Sequence, residues 1–247
     1  MRLVSDIHER AGDWGLPMPL DGKRRRRLGL IRQARILFVH VPKNGGMSAC
    51  AALYGEQIKH GTIRYYDRVA PDLRRTLPSV AVLRDPVDRF LSAYDYGRAG
   101  GSADNRVSLP FRDTYRGFAS IDAALDHVEQ AANPYQLDHI YRPQYWYVSD
   151  ARGQVAVDHL LLIDDLAGTL AVLADGDLPA IPHINRRTTP RSPVTDAQAD
   201  RIRTIYRRDQ MLYEATCLRA GRYDAVPQGQ AQAAPLKIAG GDVITSV

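Results

Sequence analysis

A chain of 247 residues with 45% hydrophobic and 25% charged side chains has an ordinary globular makeup and room for one or two domains. No apolar run approaches the ~20 residues that span a bilayer. The polar start with Asp6 and Glu9 is unlike a signal peptide, so a cytoplasmic protein is expected. Two cysteines, Cys50 and Cys217, exclude a disulfide framework and a four-cysteine metal site; the net charge of +5, carried mostly by arginine, suits anionic ligands without choosing among them.

Residues 1–34, with Gly, Pro and Asp clusters, read as an irregular basic N-terminal arm. Its run Lys23-Arg24-Arg25-Arg26-Arg27 reads as a solvated basic face in preference to a nucleic-acid or acidic-glycan patch. The apolar run at about 35–41 predicts a first strand. A tight turn at 42–46 and a helix ending near Gly55, a left-handed capping position, follow. Val80–Leu83 predicts a second strand. Its helix has Asp85 as N-cap, Pro86 at the first helical position and Asp88 in the first turn.

In that helix Val87, Phe90, Leu91 and Tyr94 recur at helical spacing and are expected to face the sheet, with Arg89, Ser92 and Tyr96 opposite. Residues 98–118 read as a surface excursion. A helix is expected at 121–131, a strand at 155–163, a helix at 165–174, and one long helix from 195 to 220, capped by Thr195 and ended by Gly221. Residues 226–247 read as a mobile tail beyond a domain spanning 35–225. Strands alternating with helices predict an α/β fold around a mostly parallel sheet, with ligands at the strands' carboxyl ends.

Two motifs lie at those ends. Pro42-Lys43-Asn44-Gly45-Gly46-Met47-Ser48 joins a strand to a helix and aims backbone N–H groups and a lysine at one spot, as a phosphate or sulfate requires. It is not a Walker A loop, because Lys43 precedes the glycines. The second motif is Arg84-Asp85-Pro86, with Ser92 eight residues after Arg84.

The order Pro-Lys-x-Gly-Gly-x-Ser resembles the 5′-phosphosulfate loop of the sulfotransferases that use 3′-phosphoadenosine-5′-phosphosulfate (PAPS). Residues 84–94 resemble their 3′-phosphate segment. Weaker likeness to the carbohydrate-type branch runs through Gln144-Tyr145-Trp146-Tyr147, Asp164-Asp165-Leu166, Pro182-His183-Ile184-Asn185 and Tyr206-Arg207-Arg208-Asp209, so that residues 35 to 215 are covered.

The resemblance implies a P-loop-like three-layer α/β/α fold. It implies in-line sulfuryl transfer from PAPS to an acceptor hydroxyl on a glycan, a glycolipid or a small metabolite, without a metal. Lys43 would stabilise the charge that develops on the leaving 5′-phosphate. Asn44, Gly45, Gly46, Met47 and Ser48 would hold that phosphate, and Arg84 and Ser92 the 3′-phosphate. Arg186 and Arg187, on a loop after Asn185, are candidates to close over the nucleotide or to contact an acidic acceptor, with a solvated pair as the equal alternative.

His60, in Lys59-His60-Gly61-Thr62, is the candidate base, because an imidazole titrates near neutrality. Glu56, Asp67 and Asp95 are fallback bases, and His40 is expected to be buried. Tyr145, Trp146 and Tyr147 are expected in the core rather than around a sugar. Asn44 and Met47 replace the family's usual threonines, which motivates a second reading: a weak or inactive scaffold that binds nucleotide or polyanion. No specific nucleic-acid partner is expected.

Overall fold

The computed structural model describes residues 6–14, 16, 19–58, 60–102, 105–166, 168, 170 and 191–222. Two helices, α1 (Ile7–Asp13) and α2 (Gly22–Ala34), precede the first strand, so the segment expected to be an irregular arm is largely helical. Charge explains the docking of α1. Arg142 is 1% exposed and meets Asp6 at 2.5 Å and Glu9 at 4.0 Å, and Glu9 also accepts the Thr62 N–H. The run at 23–27 lies on α2, where Arg24 pairs with Asp21 and Arg26 with Glu56, while Leu28 and Ile31 reach the core.

The strands β1 (Leu37–Val39), β2 (Ser79–Leu83) and β3 (His159–Leu162) form an all-parallel sheet in that order. Parallel neighbours need a crossover. Helices α3 (Gly46–Tyr54), α4 (Ile63–Val69) and α5 (Pro71–Thr76) lie between β1 and β2. Helices α6 (Pro86–Arg98), α7 (Leu109–Arg116), α8 (Ile121–Glu129) and α9 (Gln144–Val148) lie between β2 and β3. The fold is therefore α/β. Every residue of β1 and β2 is buried, as in parallel strands covered on both faces.

Two apolar cores form. One surrounds the sheet. The other gathers Val87, Phe90, Leu91 and Tyr94 of α6 with Tyr115, Leu125, Tyr141 and Ile202. The apolar face of α6 thus packs on neighbouring helices and not on the sheet, which corrects the sequence expectation. The 98–118 segment is less of a surface excursion than expected, since it contains α7 and the fully buried Tyr115.

The long helix expected at 195–220 is two helices, α10 (Asp196–Ile205) and α11 (Arg207–Arg219), broken at Tyr206. Thr195 caps α10 in a reciprocal capping box with Gln198. The break lets α10 pack on α6 and α8 while α11 packs on β3 and α9. At the corner, the buried Tyr206 donates its hydroxyl to the Tyr141 carbonyl at 2.7 Å. Gly221, at φ 67°, follows in the left-handed conformation expected of a helix stop. No helix among the described residues is long and apolar enough to cross a membrane.

Candidate functional site

The chain leaves β1 through buried His40 and turns at residues 42–45, with Lys43 at φ 70° and Gly45 at φ 73°. Each glycine has its own reason. Gly45 is the left-handed N-cap of α3, a conformation that favours a residue without Cβ. At Gly46 a Cβ would stand 2.0 Å from the His40 ring, so only glycine lets the helix start close over that imidazole. Burial pushes the His40 pKa down to about 3, leaving a neutral ring beneath the loop. The first N–H groups of a helix have no partner within it, so the start of α3 presents donors to an anion.

Arg84 stands at the end of the neighbouring strand β2. Its Nη1 donates to the Lys43 carbonyl at 3.1 Å, which joins the two strand-end motifs directly. Burial, with the charges of Arg191 and Arg89 added, lowers its guanidinium to about 10, a place where an anion is welcome. Asp85 caps α6 as expected and accepts the Asp88 N–H at 2.9 Å, with Pro86 opening the helix. Ser92 is half-buried on α6.

Arg89 was expected on the face of α6 away from the core, yet it is 2% exposed. It donates to the carbonyls of Pro42 at 3.0 Å and Arg142 at 2.8 Å, and so fastens the start of the loop. Asn44 also departs from expectation. Its buried amide donates to the Val82 carbonyl at 2.6 Å and to Gln144 at 2.5 Å, so this donor braces the loop against β2 and is not turned to a ligand.

Gln144 links both motifs. Its Oε1 accepts from Asn44 and from the Arg84 N–H at 3.0 Å, while its Nε2 donates to the Arg84 carbonyl at 2.8 Å. Its own N–H and that of Tyr145 donate to Asp209 of α11 at 2.7 and 2.8 Å. Sequence pattern missed this role, because Gln144 is a lone polar residue distant in sequence from its partners Asn44, Arg84 and Asp209.

Burial raises the Asp209 carboxyl to about 6 despite the nearby Arg89 charge and two N–H donors. A carboxyl whose folded pKa exceeds its unfolded value stabilises the fold fully below about pH 4, and that contribution is lost as pH rises through about 6. The stability of the protein relative to its Asp209→Asn variant is therefore expected to fall across that window. Urea unfolding of both proteins between pH 4 and pH 7 measures it; a constant difference would refute this.

Beside the loop three imidazoles form a row. His40 and His60 have ring centroids 4.0 Å apart, and His60 stacks on His139 at 4.7 Å. His60 Nδ1 lies 3.3 Å from the His40 carbonyl. Lys43 Nζ sits 4.0 Å above the Tyr96 ring centroid, and the Tyr96 hydroxyl donates to the Asn105 carbonyl at 2.9 Å. Met47 contacts Asn105 through its sulfur at 3.8 Å. Ser48 is buried, with its N–H directed at the Gly45 carbonyl.

The fallback bases are engaged elsewhere. Glu56 pairs with Arg26, Asp67 with Arg74, and Asp95 accepts from Ser192. Tyr147 is fully buried in the sheet core, as expected, with Tyr145 and Trp146 packed against that core. Arg186, Arg187, His183, Lys59 and the 226–247 tail lie outside the described residues.

Among the described residues no group of three or more His, Cys, Asp or Glu side chains is placed to hold a metal ion. Two grooves of about 600 and 540 Å³, one lined by Glu9, Arg64 and Arg68 and the other by Tyr145, Trp146 and Arg208, include no residue of the 42–48 loop. No family model, no curated protein and no solved structure matches the chain.

Proposed function

We propose that the protein is a PAPS-dependent sulfotransferase on a P-loop-like three-layer α/β/α scaffold. The observation that carries the reading is the junction of Lys43 and Arg84. Two adjacent parallel strands end in a glycine-rich helix start and a half-buried arginine, and the second touches the first. A ligand with one phosphate at the 5′ position and another at the 3′ position fits two such anion sites, and the 3′-phosphate separates PAPS from ATP.

In this reading the N–H groups of residues 44–47 hold the 5′-phosphosulfate, the Ser48 N–H being taken by the Gly45 carbonyl, and Arg84 with Ser92 holds the 3′-phosphate. Lys43 meets the charge that grows on the leaving 5′-phosphate. Sulfuryl transfer, like phosphoryl transfer, depends on positioning and charge stabilisation. The acceptor is a hydroxyl on a glycan, a glycolipid or a small metabolite, and an imidazole of the row beside the loop takes its proton; His60 is the candidate the sequence supplies.

Arg84→Ala is expected to weaken binding of 3′-phosphoadenosine 5′-phosphate (PAP) by about tenfold or more, the size of a lost charge-assisted contact, with AMP binding little changed. Equal loss for PAP and AMP in calorimetric titrations would remove Arg84 from the 3′ site.

A second reading, a weak or inactive scaffold that binds nucleotide or polyanion, draws on two details. The Asn44 amide is spent on Val82 and Gln144, and Met47 brings a thioether where the resembled family has a hydroxyl. It predicts PAP binding without turnover of PAPS.

A further inference from the structure

We infer that His139, oriented by Asp138, is the group that takes the acceptor's proton, with His60 stacked against it as its support. The inference rests on the sulfuryl-transfer reading. Asp138 is 1% exposed, and its Oδ1 lies 2.9 Å from His139 Nδ1. Four interactions fix the carboxylate: His139 Nδ1, the Ile140 N–H at 3.1 Å, the Ser108 N–H at 3.3 Å and the Ser108 hydroxyl. Burial opposes its ionisation, but the His139 imidazole and these hydrogen bonds outweigh burial and hold it down at about 2.

A buried carboxylate on Nδ1 fixes the ring and its tautomer, which leaves the Nε2 lone pair as the basic site. His139 is half-buried, and among the described residues none bonds its Nε2. His60 has a backbone carbonyl at its Nδ1 where His139 has a carboxylate, so the better oriented base is His139. The position suits the role. The ring lies at the end of the row that starts under Gly46.

In the step proposed, the acceptor oxygen forms a bond to the sulfur of PAPS as the bridging bond from sulfur to the 5′-phosphate oxygen breaks. The hydroxyl proton moves to His139 Nε2. The electron pair of the broken bond leaves on PAP, beside Lys43.

The test compares the protein with His139→Gln and Asp138→Asn, using radiolabelled PAPS with water or an added sugar alcohol as acceptor. PAP affinity and the ¹⁵N shifts of His139 are measured alongside. The expected result is a fall of about 10²-fold or more in PAP release for His139→Gln, within the usual range for general base catalysis, with PAP affinity unchanged. Asp138→Asn is expected to slow release and to disturb the Nδ1–H tautomer.

Release by His139→Gln within threefold of the unaltered protein overturns the proposal. An unaltered protein that binds PAP yet releases none from PAPS is the outcome of the inactive-scaffold reading, and it defeats the sulfuryl-transfer reading rather than the choice of His139. Failure to bind PAP at all likewise defeats the sulfuryl-transfer reading on which the inference rests.

Discussion

Lys43→Ala is expected to slow PAP release from PAPS by on the order of 10²-fold or more while changing PAP affinity by only a few-fold. The lysine sits in the turn at φ 70°, between a strand end and a helix start, with its ammonium over the Tyr96 ring. Alanine meets the same left-handed backbone cost as lysine, so the loop is expected to keep its shape. The effect then falls on the charge that appears only as the S–O bond breaks, and an interaction stronger in the transition state than in the ground state lowers turnover more than binding. Rate and affinity falling together would place Lys43 in ground-state binding. An unchanged rate would remove it from the chemistry.

Gln144→Leu is expected to cost about 2–4 kcal/mol of stability and to weaken PAP binding by more than tenfold. The leucine removes the acceptor for the Asn44 amide and the Arg84 N–H, and the donor to the Arg84 carbonyl. Each buried polar group left unpaired costs about 1–3 kcal/mol, and some of that is recovered by relaxation or water. Both anion sites lean on this one side chain, so the 5′ and 3′ ends of the ligand should lose affinity together. Urea unfolding and PAP titration of the variant measure the two effects. Full stability with intact affinity would show that the loops hold their positions without it.

These two residues also mark what was legible in the sequence. Lys43, its glycines and the Asp85 cap are local features: a strand end, a left-handed turn and a helix start are written in consecutive residues. The strands were readable for the same reason, as short apolar runs bounded by turn residues, although β3 is confined to His159–Leu162 of the 155–163 expected.

Gln144, Arg89 and Arg142 were not legible, because their worth comes from partners distant in sequence. Arg142 meets Asp6 across 136 positions, and Gln144 meets Asn44 across 100. A buried arginine that donates to two carbonyls has no periodic signature, which is why the burial of Arg89, opposite the apolar stripe, was not foreseen. The apolar stripe of α6 was read correctly as buried. Its partner was misassigned, because a hydrophobic period says that a face is covered and not by what. Asn44 was read as a ligand donor from its place in the loop, whereas β2 and Gln144 claim its amide in the folded chain.

The central claim is a site that distinguishes a 3′-phosphorylated nucleotide. Calorimetric titration of the full chain with PAP, beside AMP and ATP and with no metal added, tests it most directly. Micromolar PAP binding with AMP and ATP at least tenfold weaker is the predicted result. Equal affinity for the three nucleotides, or no binding of PAP, would contradict it.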